Sequence, residues 1–204
     1  KATVKQQPGS SIKPILDYGM AYKYLDWCTG HTVKDEPIEA GIKNWDNQFH
    51  GTMTISEALE NSWNIPAYTT FQEVKKVAGS KNLTEDLESL GIDMSDHDPD
   101  LPDSYAIGGW STGVSPVEMA GAYATVANNG KYIESHTVNY IEVAKDNETI
   151  KVDEQLQKKA TNSIGEDVSF MIRETMLSYT SNGSGSYAYL NGIDNIGAKT
   201  GTSN

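Results

Sequence analysis

Ser10 and Lys13 stand three residues apart near the start of the chain, in Gln7-Pro8-Gly9-Ser10-Ser11-Ile12-Lys13-Pro14. Pro8-Gly9 reads as a turn, and Ile15, Leu16, Tyr18, Ala21 and Leu25 recur beyond it at helical spacing. Ser10 is therefore expected in the first turn of a helix, where Pro14 is tolerated because it comes so early. Residues three apart share a helix face, which brings the Lys13 amine beside the Ser10 hydroxyl. A serine hydroxyl becomes a nucleophile when a base takes its proton, and a neutral lysine is such a base. The helix N-terminus adds free N–H groups and a positive dipole end, suited to a developing oxyanion. Alone, the S-x-x-K spacing arises by chance about once in a chain of this size. Its meaning depends on what accompanies it.

Two further short motifs follow in order, Ser62-Trp63-Asn64 and Lys199-Thr200-Gly201. Together the three resemble the S-x-x-K, S-D-N and K-T-G set of serine acyl-transfer enzymes, with Trp63 in place of Asp. A rival S-x-N stands at Ser80-Lys81-Asn82. Context favours Ser62, which closes a capped helix, whereas Ser80 is read as the start of a polar linker. The chemistry explains the grouping. Ser10 attacks an acyl carbon, and Lys13 takes its proton, provided burial and a nearby cation such as Lys199 lower its pKa. Ser62 relays a proton to the leaving amine, and Asn64 holds the substrate amide. Lys199 and Thr200 meet a substrate carboxylate, and Gly201 lets the chain pass close to a ligand. The backbone N–H groups of Ser10 and Thr202 form an oxyanion hole. The Ser10 hydroxyl, the Lys13 amine and the Ser62 hydroxyl are accordingly expected within hydrogen-bonding range of one another.

The 204 residues suffice for one domain with a sizeable core, and 37% hydrophobic with 22% charged residues fits a globular protein. Sixteen basic against 28 acidic residues leave a net charge of −12, which repels a phosphate backbone and argues against nucleic acid. No apolar run is long enough to span a bilayer. Cys28 is the single cysteine, and His31, His50, His97 and His136 lack ligand spacing, so neither a disulfide, a metal site nor a cofactor is expected. Asp96, Asp98 and Asp100 have the spacing that opens a calcium loop. Leu101 and Ile107 occupy its glycine and glutamate positions, however, and residues 93–103 are read as a solvated acidic loop.

The positioning elements are read as follows. Residues 26–50 look irregular. Thr54-Ile55-Ser56-Glu57 is a capping box opening a short helix. Pro66 biases Ile65 away from helical backbone, which puts Ser62 and Asn64 on a turn before a helix over residues 67–78 that Gly79 ends. A short helix fits residues 85–90. Residues 108–114 are a Gly-rich loop without the Lys-Ser/Thr ending of a phosphate loop. Ser115-Pro116-Val117-Glu118 starts a helix that stops at Asn129-Gly130. A hairpin is expected over residues 138–152, a helix from residues 163–166 onward, a loop over 181–186, and a strand over 193–199 leading into Lys199-Thr200-Gly201.

The words Gln7 to Pro14, Asn44-Trp45-Asp46, residues 54–67, Ser115-Pro116-Val117-Glu118-Met119-Ala120 with Tyr123-Ala124, and Gly197-Ala198-Lys199-Thr200-Gly201-Thr202 stand in one order along nearly the whole chain. On them the chain resembles the transpeptidase domain of class A, bifunctional penicillin-binding proteins of the Gram-positive type. The resemblance implies the α+β fold shared by penicillin-binding proteins and serine β-lactamases, a helical subdomain against an antiparallel sheet. It implies a serine D,D-transpeptidase in which Ser10 is acylated by stem peptides ending in D-Ala-D-Ala. A neighbouring amine resolves the acyl-enzyme, and β-lactams trap it. Ser10, Lys13 and Ser62 would be catalytic, with Asn64, Lys199, Thr200, Gly201 and Thr202 binding substrate. The work site would be the outer face of the bacterial membrane, with any anchor supplied by a segment this chain lacks. Residues 1–204 read as part of such a domain, with flanking sheet strands missing. The alternatives are a serine β-lactamase, which needs a water-activating glutamate not evident here, and a non-catalytic β-lactam sensor of the same fold.

Overall fold

The computed structural model describes residues 1–138, 159–188, 190–193 and 195–203. The fold is built around the segment that carries Lys13. A 3-10 turn, Gly9–Ile12, leads into a π-helical stretch, Pro14–Gly19, and then α1, Met20–Tyr24. Every residue of Pro14–Gly19 is buried, which is why this stretch reads as apolar on several faces rather than one.

Around it pack α2 (Ile55–Glu60), α3 (Asn64–Ala78), α4 (Ser80–Ser89), α5 (Pro116–Ala127) and α6 (Glu166–Asn182). Ile12, Ile15, Leu16, Leu59, Phe71, Leu87, Val126 and Ile172 share one continuous core. The two capping boxes are present: Thr54 accepts from the Glu57 N–H, and Ser115 from the Glu118 N–H, while each glutamate reaches back to its cap. Gly79 ends α3 with φ +77°, and Asn129 and Gly130 follow α5 with φ of +54° and +76°.

Two small antiparallel sheets complete the described fold. β1 (Thr32–Asp35) pairs with β2 (Gly51–Thr54), Val33 opposite Met53 and Asp35 opposite Gly51. β3 (Lys131–Tyr132) pairs with β4 (Thr161–Asn162).

Several expectations are corrected. Residues 26–50 are not wholly irregular, because Thr32–Asp35 forms a strand in which exposed and buried residues alternate, a run too short to stand out in sequence. α3 begins at Asn64, two residues before Pro66; the missing proline N–H falls among first-turn groups that have no intrahelical partner anyway. Ser80 begins α4 rather than a linker, and its hydroxyl donates to the Asp100 carbonyl at 2.9 Å. α6 runs to Asn182, into the expected loop. Residues 195–203 contain no strand, so the small antiparallel sheets are built by other segments. Nearly all of the expected hairpin lies outside the described residues.

Candidate active site

Lys13 is wholly buried, an unusual place for an amine. The chain turn that receives it is made by the end of α2. The Ser62 N–H donates to the Leu59 carbonyl at 2.9 Å and the Trp63 N–H to the Ala58 carbonyl at 3.0 Å. This is the Schellman arrangement that closes a helix, with its left-handed position filled by Ser62 at φ +57°. Glycine is the relaxed residue there, and a serine carries a strain of about 1 kcal/mol or more. The turn aims three oxygens at the buried amine. Lys13 Nζ donates to the Ser62 carbonyl at 2.8 Å, the Trp63 carbonyl at 3.1 Å and Asn64 Oδ1 at 2.8 Å. An ammonium has three donors, and these oxygens take all three.

The first and second motifs are thus joined through Lys13, by main-chain oxygens and the Asn64 amide. The expected hydrogen bonds from the Lys13 amine to the Ser10 and Ser62 hydroxyls are not formed: neither hydroxyl makes a hydrogen bond among the described residues, and the amine meets the oxygens of residues 62–64 instead. Ser80 takes no part, being held at Asp100.

The third motif lies as irregular chain against the Ser10 turn. A Cβ on Gly201 would come within 2.5 Å of the Pro8 carbonyl and 3.1 Å of the Ser11 nitrogen. One on Gly9 would come within 2.3 Å of the Thr202 carbonyl and 2.9 Å of its nitrogen. The two glycines let the two backbones touch, bringing Thr202 beside Ser10. Tyr179 of α6 supports this segment: its hydroxyl and Thr200 Oγ1 are 2.6 Å apart, and Lys199 Nζ sits 4.6 Å from the centre of its ring. Lys199 Nζ also donates to the Thr200 carbonyl at 3.0 Å. Tyr123 of α5 ties the other side, donating to the Ser11 carbonyl at 2.7 Å. A groove of about 450 Å³, lined in part by Gln7, Trp110, Thr112 and Ser203, opens beside this junction.

Electrostatics follow from burial. Desolvation, then the Lys199 charge, bring the Lys13 pKa down to about 7, against an opposing pull from Asp17. Burial brings Lys199 to about 8. The Asp17 carboxyl is wholly buried without a hydrogen-bonding partner among the described residues, and burial pushes its pKa well above the carboxylate range. Sequence reasoning missed Asp17, Asp35 and Tyr179. Asp17 stands one turn after Lys13, which was the available signal; Tyr179 gave none. Among the described residues no group of three or more His, Cys, Asp or Glu is placed to hold a metal ion, and no helix is long and apolar enough to cross a membrane.

Comparison with known proteins agrees across the chain. Residues 2–204 match the family model for the penicillin binding protein transpeptidase domain. The chain is 35% identical over 206 residues to penicillin-binding protein 1A/1B of Bacillus subtilis, covering 98% of the chain and 21% of that relative. It is 32% identical to penicillin-binding protein 1A of Streptococcus pneumoniae, covering 96% of the chain and 27% of that relative. The chain therefore spans well under a third of the length of these relatives. Among solved structures, the penicillin-binding protein PonA1 of Mycobacterium tuberculosis matches with a TM-score of 0.80 at 24% identity, over all of this chain and 55% of that one. The D,D-transpeptidase domain of a peptidoglycan glycosyltransferase from Eggerthella lenta matches with a TM-score of 0.75 at 19% identity, over 100% and 55% of the two chains.

Proposed function

The chain belongs to the penicillin-binding protein transpeptidase family, and from that premise we propose that it carries the serine D,D-transpeptidase site of peptidoglycan cross-linking, with Ser10 as nucleophile. The observation that supports this most is the buried Lys13 amine, one helical turn from Ser10 and with a pKa brought down to about 7. A lysine so poised is neutral in a large fraction at physiological pH. It then has a lone pair to accept the Ser10 proton.

In the proposed reaction the Ser10 oxygen bonds to the carbonyl carbon of the penultimate D-Ala, and the peptide bond to the terminal D-Ala breaks. The proton leaves Ser10 to Lys13 and reaches the departing amine through Ser62. The Ser10 and Thr202 N–H groups hold the oxyanion. Lys199 and Thr200 meet the terminal carboxylate, and Asn64 the substrate amide. An amine of a second stem peptide then attacks the ester and frees Ser10. β-Lactams present the same carbonyl and carboxylate and acylate Ser10. The proposed place of work is the outer face of the cell membrane, where that substrate lies.

Two glutamates that could have activated a deacylating water are engaged elsewhere. Glu57 accepts from the Thr54 N–H at 2.8 Å, and Glu118 from the Ser115 N–H at 2.7 Å and the Asp93 N–H at 3.0 Å. General base catalysis contributes roughly 10²–10⁴-fold, so hydrolysis without it is slow. The test is a fluorescent penicillin. The full-length protein should be labelled at Ser10, and the label should outlast removal of free drug. Release within seconds with continuous drug turnover would favour a β-lactamase, and absence of label would favour a non-catalytic role.

A further inference from the structure

Behind the Lys13 site lies a second buried polar layer that the proposed chemistry does not use. Asp35, the last residue of β1, is wholly buried, and Asn44 is 3% exposed. Asn44 Nδ2 donates to both Asp35 oxygens at 2.8 Å and to the Gln48 carbonyl at 2.9 Å, and the His50 N–H donates to Asp35 Oδ2 at 2.9 Å. An ionised carboxylate only accepts, so it fixes which end of the Asn44 amide faces it. The Asn44 oxygen is thereby turned the other way. It accepts from the Asn64 N–H at 2.8 Å and, more loosely, from the Ile65 N–H at 3.4 Å.

Those N–H groups open α3, whose own cap residue, Trp63, offers no side-chain bond. Asn44 thus caps α3 from a distant loop. The main-chain carbonyl of its neighbour Lys43 accepts from Asn64 Nδ2 at 2.9 Å. The Asn64 amide is gripped at its main-chain and side-chain nitrogens, which leaves Oδ1 as the end facing Lys13 Nζ.

We propose that Asp35 and Asn44 are positioning residues for the transpeptidase site: they set the orientation of Asn64 and, through it, the place and protonation of Lys13. The inference rests on the functional reading given above. Its physical content is directional. An Asn64 oxygen at Lys13 favours the ammonium, while an Asn64 NH₂ group turned there would oppose it. The titratable groups acting directly on Lys13 are Asp17 on its own helix and Lys199 on the C-terminal segment; residues 62–64 present it only neutral oxygens.

The experiment measures the second-order rate of Ser10 labelling by fluorescent penicillin, in the full-length protein, across pH. Asp35→Asn is isosteric and removes the charge that orients Asn44; Asn44→Ala removes the remote cap. Both should slow labelling by about tenfold or more at pH 8. Both should also shift the acid limb of the profile to lower pH by about half a unit, because an Asn64 amide no longer held with its oxygen at Lys13 stops favouring the ammonium. The double exchange Asp35→Asn with Asn44→Asp restores an acceptor toward the Asn64 N–H and should recover part of the rate. Slower labelling that merely follows a fall in melting temperature, with the acid limb unmoved, would overturn the proposal. So would Asp35→Asn matching the unsubstituted protein in rate and profile. Should Asn44→Ala fail to fold, Asp35→Asn and the double exchange decide. Failure of the unsubstituted protein to label at all would instead sink the transpeptidase reading, which keeps the two failures apart.

Discussion

Lys13 and Lys199 are proposed for one active site, yet the chain holds them in opposite ways. Lys13 rises from a helix buried on every face, and a turn of α2 wraps three oxygens around its amine. Lys199 lies on irregular chain, half-buried, resting on the Tyr179 ring and bonded to the carbonyl of its own neighbour. Among the described residues the N–H groups of residues 195–203 donate to no backbone carbonyl, whereas α3 bonds along its length. The contrast separates two tasks. A base must have its pKa set by a rigid, dry environment, and only a core provides one. A group that meets an incoming carboxylate needs access to solvent and can sit on a segment laid over the core.

The largest expected effect tests the core side. Ser10→Ala should abolish covalent labelling by penicillin, and Lys13→Met should slow it by roughly 10²–10⁴-fold, the range for loss of a general base. A Lys13→Met variant that labels at the unsubstituted rate would remove the reason for burying the amine.

The second test sets the two lysines against each other through pH. Lys13 must be neutral to act, so the rate should rise through its pKa of about 7. Lys199 must be charged to meet a carboxylate, so the rate should fall as pH passes about 8. The result is a narrow bell. Lys199→Gln should cost about 10–100-fold, as expected for a lost charge-assisted bond. It should also move the acid limb to higher pH, since the Lys199 charge helps to hold the Lys13 pKa down. An acid limb that stays in place would mean the two sites are electrostatically separate.

Tyr179→Phe probes the weaker support. It keeps the ring under Lys199 and removes the hydroxyl bonded to Thr200, and a loss of about two- to tenfold in labelling is expected with little change in melting temperature. Hydrogen exchange should show the amides of residues 195–203 exchanging far faster than those of Asn64–Ala78. Equal protection would erase the contrast.

The smallest effect lies in stability. Ser62→Gly relieves about 1–2 kcal/mol of left-handed backbone strain, less the roughly 0.4–1 kcal/mol of added chain entropy. The variant should be a few tenths of a kcal/mol to about 1 kcal/mol more stable, yet label more slowly. Unchanged labelling would show that the Ser62 side chain is dispensable.

Helix ends were the most legible elements. The caps at Thr54 and Ser115 are local, each a side chain bonding a backbone group three residues on, so their residues alone announce them. β1 and β2 were not, because each is four residues long and each depends on the other, some 20 residues away, for its hydrogen bonds. The strand expected at residues 193–199 was read from residue types suited to a pleated surface; pairing requires a neighbouring strand, and among the described residues none lies beside it.

The three motifs, their order and the one-turn spacing of Ser10 and Lys13 were determined by the sequence itself, because chemistry demands particular side chains and helix geometry converts spacing into proximity. What only the tertiary structure decided is how those side chains are held. Main-chain oxygens of Ser62 and Trp63 leave no mark in a sequence, since every residue has a carbonyl and only the fold says where it points. Burial of Asp35, and the turn of the Asn44 amide that it imposes, arise where two distant segments close on each other. The lowered pKa of Lys13 belongs to the same class: it is a property of excluded water and of a second lysine 186 residues along the chain, and neither exists until the chain has folded.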